Sequence, residues 1–400
     1  MSVASNPSAL QALADGARAA GKLALDTEFM GEGRYRTLLC LVQLAIPQRA
    51  GAAGPMEIVD PLSEEVDGGP LATILADPAV QVVVHAGRQD IALMRRWLGT
   101  DVRNVFDTQV AAGFVDLGAQ TSYESLLTDL LGVRLRKSAS FTRWDHRPLS
   151  AEQLDYARED VVHLLELAGE LEQRLEQAGR LAWAREECEP LEQASDERDE
   201  EVIFARLPRV HGLNGSARAV ARELVAWREQ TAARRDRPVQ SVLSDAALME
   251  LARRKPSRRE ELERIRGVGA AGSGRVADEV LGAVRRASER PPEPPLTDRR
   301  PQPPKPDDAP LIALAEALLR ARAREAGLAY ELLAARADLQ AIVTGKRGEG
   351  DEADVRTLRG WRRELVGEEL LRLLDGKVSL SVQHATDGRR LQVDPRPSAS

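Results

Sequence analysis

Three apolar runs near the start of the chain constrain its fold most. "KLALDTEF" (residues 22–29), "YRTLLCLVQLAI" and "MEIVDPL" follow one another with short turns between them. Strand-like runs joined this closely read as an antiparallel meander. Behind the short helix "LATILADP" comes "VQVVVHAG", apolar throughout, as a strand buried on both faces must be. It feeds directly into "RQDIALMRRWLG", a helix with Ile91, Met94 and Trp97/Leu98 on one face and Gly99 as its stop. A helix over residues 7–20 leads into the first strand. A long helix from about Ser150 carries Leu154, Val161, Leu164, Leu165 and Leu171 at helical spacing. Residues 1–185 therefore read as an α/β domain, a mixed sheet flanked by helices.

The first strand poses a problem of charge. Leu23 and Leu25 point to one face, and alternation puts Asp26 and Glu28 together on the other. Neighbouring carboxylates at a strand's end repel unless a cation lies between them. A solvated edge pair is the simpler alternative, and Asp-x-Glu alone does not decide. Two further acids come from suitable elements. Asp90 lies in the first turn of the helix after the buried strand, where a negative charge also suits the helix dipole. In "YAREDVVHLL", Tyr156 and Asp160 are four residues apart and share a helix face. Four acids from separate segments suit hard cations such as Mg²⁺, which take oxygen ligands. Two such ions favour phosphoryl displacement, with Tyr156 orienting the attacking water.

The remaining chain divides by composition. Residues 186–205 contain the acidic stretch "EECEPLEQASDERDEE", a connector. Residues 206–287 read as helices, including "SARAVARELVAWREQTAARRD" and "SDAALMELARRKP". The net charge of the whole chain is −7, yet from 206 to 290 there are 19 Arg/Lys against 11 Asp/Glu, a net of +8. A basic module of this kind can engage phosphates. Residues 288–310 are too rich in proline for a helix or central strand and read as a semi-rigid linker. A third module, 311–378, is helical and has balanced charges, which suits a structural or positioning role. Residues 379–400 read as a frayed polar tail. The Trp-Arg pairs in "AWREQ" and "GWRREL" suggest that modules two and three are diverged repeats.

These motifs carry a resemblance. "LALDTEF", the Asp of "HAGRQD" and the Tyr-x-x-x-Asp of "YAREDVVHL" resemble the three exonuclease motifs of the ribonuclease D family. "VFDTQVAAGF" and "KSASFTRWDHRPLSAEQLDYA" match it as well. Module two resembles a helicase-and-ribonuclease-D C-terminal (HRDC) domain, and module three its more divergent second copy. The resemblance implies a ribonuclease H-like α/β exonuclease domain followed by two all-α HRDC-type domains. It also implies that Asp26, Glu28, Asp90 and Asp160 hold two divalent metal ions (Mg or Mn), with Tyr156 beside the nucleophile. A sister subclass has His five residues before its last Asp, where this chain has Asp155. The implied activity is 3′–5′ exoribonuclease hydrolysis of RNA to nucleoside 5′-monophosphates, in maturation of tRNA and other stable RNA. A DNA exonuclease of the same fold and a catalytically idle RNA-binding scaffold are the rival readings.

For RNA contacts, Lys137, Arg143 and Arg147 are candidate phosphate ligands, and Phe141 or Trp144 a candidate base stack, with packing favoured for Trp144. Arg235, Arg254 and Lys255 lie in the basic clusters of module two. Asp107 reads as a helix cap rather than a ligand. Cys40 and Cys188 are too far apart in sequence and context to suggest a disulfide framework or zinc site. With no signal-like or membrane-spanning run, the expected compartment is the cytoplasm, with no membrane and no obligate protein partner.

Overall fold

The computed structural model describes residues 7–47, 54–135, 143–268, 274–296, 305–345, 353–385 and 388–396. Helix α1 (Pro7–Ala20) leads into β1 (Lys22–Met30), which pairs antiparallel with β2 (Leu38–Ala45), and β2 pairs likewise with β3 (Met56–Val59). This is the meander expected from the three apolar runs. The chain then crosses through α2 (Gly69–Leu75) to β4 (Gln81–Val84), parallel to β1, and through α3 (Arg88–Leu98) to β5 (Val105–Asp107), parallel to β4. The sheet order β3-β2-β1-β4-β5 leaves β1 central. Alternation sorts its faces. Leu23 and Leu25 join a core with Leu71, Ile74, Ile91 and Met94, under α1, α2 and α3. Ala24, with Val83 and Phe106, faces the opposite layer.

That layer begins with α4 (Thr108–Ala112) and α5 (Tyr123–Leu126), which continues into a π-helical turn at Leu127–Leu131. The helix expected from Ser150 starts there, with a capping box in which Ser150 and Gln153 bond each other's backbone N–H. It is interrupted at His163, giving α6 (Ala151–Val162) and α7 (Leu164–Gln177). The interruption lets α6 pack on β1, β2 and β3 while α7 packs on β1, β4 and α4.

Beyond α8 (Leu181–Cys188) the acidic connector is docked onto the nuclease-like domain. Arg96 of α3 pairs with Asp196 and also donates to the Thr37 carbonyl, and Arg95 donates to the Ala194 carbonyl at 3.1 Å. One of its acids, Asp196, thus neutralises an arginine of α3. After α9 (Glu200–Ala205), module two comprises α10 (Gly215–Arg235), α11 (Val239–Val242), α12 (Asp245–Arg254), α13 (Arg259–Glu263) and α14 (Gly274–Ser288), around its own core of Leu224, Leu248, Leu262 and Val280.

Module three departs from expectation in three ways. Its first helix, α15 (Asp308–Ala326), begins inside the stretch expected to be linker. It continues through α16 (Tyr330–Leu333), α17 (Arg336–Gly345), α18 (Gly360–Arg362) and, after a π turn, α19 (Glu368–Leu374). Both modules therefore run from a long helix to a single-turn helix to a ten-residue helix. The Trp-Arg pairs do not correspond, however: Trp227 lies in the first helix of module two and Trp361 in a late helix of module three. Finally, the expected frayed tail contains a hairpin, β6 (Val378–Ala385) with β7 (Gly388–Pro395). Leu380 and Val393, paired across it, pack onto the core. The polar composition of this stretch obscured its strands.

The two modules meet the first domain differently. Module three shares one continuous apolar core with it, spanning Phe106, Phe114, Leu167, Ile312, Leu318 and Trp361. Trp361 stacks on Trp183 with ring centroids 5.0 Å apart and meets Phe114 edge-on at 5.3 Å. Arg180 donates to the carbonyls of Phe114, Ala326 and Gly327. Module two instead meets the first domain at Tyr35, which packs against its core, and through hydrogen bonds and ion pairs of Arg34 and Tyr35. Among the described residues no helix is long and apolar enough to cross a membrane.

Because Trp361 sits at this shared core, Trp361→Ala should destabilise the folded chain by about 3–5 kcal/mol in chemical denaturation. Deleting residues 289–400 should lower the thermal midpoint of the first domain, rather than only weaken RNA binding. An unchanged midpoint would show that the shared core contributes little.

Candidate active site

Asp26 and Glu28 project from β1 on the face covered by α6. In the β1–β2 register Asp26 lies opposite Gln43 and Glu28 opposite Leu41. Helix α6 brings Asp160 to the same place, and one carboxylate oxygen from each of Asp26, Glu28 and Asp160 lies within 4.8 Å of the others. One turn earlier on α6, Tyr156 presents its hydroxyl toward the same acids, whose charges act on it. Its ring lies 6.0 Å from that of Trp144, which is buried, so Trp144 packs the site as expected. Asp90 is placed differently. Thr27, between the two strand acids and facing the other way, donates its hydroxyl to the Asp90 carboxylate at the start of α3. Three acids meet on one face of the strand, and the fourth is buried beside it from the opposite side.

Burial and like charge raise every one of these carboxyls. Burial is the largest cause for Asp26, which is pushed well above the usual carboxylate range, with the charges of Asp90, Asp160 and Glu28 adding to it. Burial, then Asp160 and Asp90, pushes Glu28 up to about 8. Asp160 rises to about 7, again chiefly by burial. Asp90 reaches about 6, held back by the Thr27 hydroxyl. The Tyr156 phenol is also raised, first by burial and then by the charges of Asp160, Glu28 and Asp26, so it stays protonated near neutral pH. A cluster that resists ionisation alone is one that a cation would relieve. All its donors are oxygens, which suits a hard divalent ion rather than a thiolate- or imidazole-seeking one. The residues present fit such an ion.

The surrounding scaffold is built to hold the acids still. Asp107 caps α4 by accepting from the Gln109 and Val110 N–H groups, as expected. It also accepts from Ala86 N at 3.0 Å and Gly87 N at 2.9 Å, pinning the turn that launches α3 and Asp90. That turn needs glycine at 87, since a Cβ there would lie 2.4 Å from Val84 Cβ. Ala86 beside it holds a φ of 53°. His85 is occupied structurally, with Nδ1 2.9 Å from the Thr108 hydroxyl, and burial lowers its pKa. Cys40 is a buried core residue. Asp155 is exposed and paired with Arg158. Thr27 escaped the sequence reading, although its place between two acids on the opposite face of a strand was the available signal.

The candidate RNA contacts separate. Lys137 and Phe141 lie outside the described residues. Arg147 is not free to hold phosphate: it grips both Asp60 oxygens, at 2.5 and 2.6 Å, and donates to the Cys40 and Trp144 carbonyls. Arg143 is exposed and clasps Asp145 with two hydrogen bonds, and it lines the same cleft as Arg235. Arg254 pairs with Glu250, and Lys255 donates to Ser216 at the start of α10. About 19 residues of helix separate Ser216 from Arg235, roughly 28 Å, so the basic groups of module two do not form a single patch.

A family model described as 3′–5′ exonuclease matches residues 1–176, and one described as HRDC domain matches residues 217–284. Ribonuclease D of Granulibacter bethesdensis is 36% identical over 372 residues, covering 92% of this chain and 90% of that protein. Ribonuclease D of Acidiphilium cryptum is 36% identical over 393 residues, covering 97% and 96%. The crystal structure of Escherichia coli RNase D, described as an exoribonuclease involved in structured RNA processing, superimposes with a TM-score of 0.79 at 26% identity, covering 93% of this chain and 98% of that one. On these similarities, spanning the mixed-sheet domain and the helical modules alike, the chain belongs to the ribonuclease D family.

Proposed function

We propose that this chain shortens RNA from the 3′ end, releases nucleoside 5′-monophosphates and acts in the maturation of transfer RNA and other stable RNAs. It is a 3′–5′ exoribonuclease of ribonuclease D type. The observation that carries the mechanism is the meeting of Asp26, Glu28 and Asp160 within 4.8 Å, beside Tyr156 and Asp90. These four acids would hold two divalent ions, Mg²⁺ or Mn²⁺. When bound, such ions supply a lowered pKa for water and Lewis-acid stabilisation of phosphoryl and leaving-group oxygens. The chain's own groups supply position. Asp26, Glu28, Asp90 and Asp160 would bind the cations, with Thr27 fixing the rotamer of Asp90. Tyr156, kept protonated, orients the attacking water rather than removing its proton. Module three is read as a second HRDC-type domain.

The direct test uses matched 5′-labelled RNA and DNA oligonucleotides with free 3′-hydroxyls, each with Mg²⁺, Mn²⁺ or chelator. A metal-dependent ladder shrinking from the 3′ end of RNA supports the reading. A stronger ladder on DNA would move the protein to its DNA-directed rival, and binding with no ladder would make it a scaffold.

Asp26→Ala and Asp160→Ala should each lower kcat at least about 10²–10³-fold, the loss typical of removing a preorganised group that stabilises transition-state charge. Circular dichroism should show an intact fold. Tyr156→Phe should lower kcat by up to about 10²-fold through misplacement of the nucleophile, with cation affinity by calorimetry unchanged. Loss of cation affinity in Tyr156→Phe would instead make the tyrosine part of the ion site.

The raised carboxyls also predict a pH dependence. In the unfolded chain they titrate near 4, whereas without cations Asp90, Asp160 and Glu28 in the folded chain titrate at about 6, 7 and 8. Their contribution to stability is complete below the unfolded pKa and is lost as pH rises through the folded values. The cation-free melting temperature should therefore fall between about pH 5 and pH 8, and added Mg²⁺ should raise it more at the upper end. Equal Mg²⁺ effects at both ends would count against a cation among these acids.

A further inference from the structure

A cleft of about 620 Å³ lies between the β1–β2 turn and the end of α10. It opens where the catalytic strand ends: Met30 lines it, two residues beyond Glu28, or roughly 7 Å along a strand. Four guanidinium groups line it as well. Arg34 and Arg143 come from the first domain, and Arg235 and Arg237 from module two.

Their partners explain the arrangement. At the end of α10 Asp236 adopts the left-handed conformation, with φ of 43°. Its carboxylate accepts from Arg34 at 2.7 Å and from the Tyr35 backbone N–H at 3.1 Å. A second tie lies alongside, where buried Glu229 accepts from the Tyr35 hydroxyl at 3.1 Å and from Arg198 at 2.6 Å. These bonds hold the two walls together and leave the residues flanking Asp236 exposed in the cleft. Among the described residues, neither Arg235 nor Arg237 has a side-chain hydrogen bond or ion pair. Arg143 binds both oxygens of Asp145, and Arg34 lies 3.8 Å from the same carboxylate.

A guanidinium presents the same fork to a phosphate as to a carboxylate. Phosphate oxygens can therefore take the free forks of Arg235 and Arg237 directly and compete with Asp145 for Arg143. Elsewhere in module two, Arg254 is paired with Glu250 and Lys255 donates to Ser216.

We propose that this cleft holds backbone phosphates of the RNA strand behind the nucleotide being removed, so that module two grips its substrate through the end of α10. The inference rests on the exoribonuclease reading for the identity of the strand, and its test is separable from that reading. The variant is Arg235→Ala/Arg237→Ala, with Arg253→Ala/Arg254→Ala as a control of equal charge. Binding of a single-stranded RNA of about 12 nucleotides is measured against salt, with chelator present so that no strand is cut. Hydrolysis is measured on that RNA and on a dinucleotide with a free 5′-hydroxyl, whose single phosphate is the scissile one and which leaves none for the cleft.

Loss of two phosphate contacts should flatten the slope of log K against log salt by about 1.4. Between about 50 and 200 mM salt, wild-type affinity should then fall about sevenfold further than that of the variant. kcat/KM should fall on the longer RNA and stay unchanged on the dinucleotide, and the control pair should change neither. An unchanged slope, an equal effect in the control pair, or equal losses on both substrates would overturn the proposal. If the wild type cuts neither substrate, the exoribonuclease reading fails, while the slope in chelator still decides the cleft.

Discussion

Three carboxylates crowded into a partly buried site are costly to ionise, and the first domain is organised around holding them there. Asp26 and Glu28 share a face because a strand alternates; that strand is central, paired on both edges, and helices on its two faces bury Leu23, Ala24 and Leu25. Asp160 reaches them because α6 is packed on β1, β2 and β3 and has its first turn fixed by a capping box. Asp107, which touches none of them, ties the end of β4 to the starts of α3 and α4. Each restraint opposes the repulsion that would otherwise spread the acids apart. The result is a preformed oxygen cluster of the kind that hard cations take, and two arginines of the same domain are engaged elsewhere. Arg147 holds Asp60, and Arg96 holds Asp196.

The two helical modules divide their work through the chemistry of their attachment. Module three is bonded to the first domain by apolar area: its Trp361 lies between Phe114 and Trp183, and Arg362, itself buried, bonds the Leu332 carbonyl and Glu187. Such an interface buries surface in the folded state and resists opening. Module two is held by Tyr35, Arg34 and Arg198 against Glu229 and Asp236, polar contacts that leave arginines exposed along the seam. A charged seam suits contact with a polyanion and an apolar one does not. The module with the basic excess is thus the one whose junction with the catalytic domain can also meet RNA.

Much of this was legible in particular residues. The meander, the buried strand before α3 and the helix carrying Tyr156 and Asp160 follow from apolar spacing, which depends only on neighbours in sequence. The cap role of Asp107 was readable because capping is local. What escaped depended on partners distant in the chain. Arg147 looked like a phosphate ligand until Asp60, 87 residues away, proved to hold it. Thr27 looked like a spacer until α3 supplied Asp90. The hairpin after α19 was hidden because its polar face outweighs Leu380 and Val393 in composition.

The amino-acid sequence by itself determined the meander, the buried strand before α3 and the helix of Tyr156 and Asp160, which acids share a face of β1 or α6, and the family to which the motifs point, since periodicity and motif spacing are properties of the local chain. Only the tertiary structure decided that Asp26, Glu28 and Asp160 meet while Asp90 stands behind Thr27, that module three shares the catalytic domain's core, and that Arg143 and Arg235 face one cleft while Arg254 does not. These outcomes turn on distances between residues far apart in sequence, and such distances exist only once burial of apolar surface has brought the elements together.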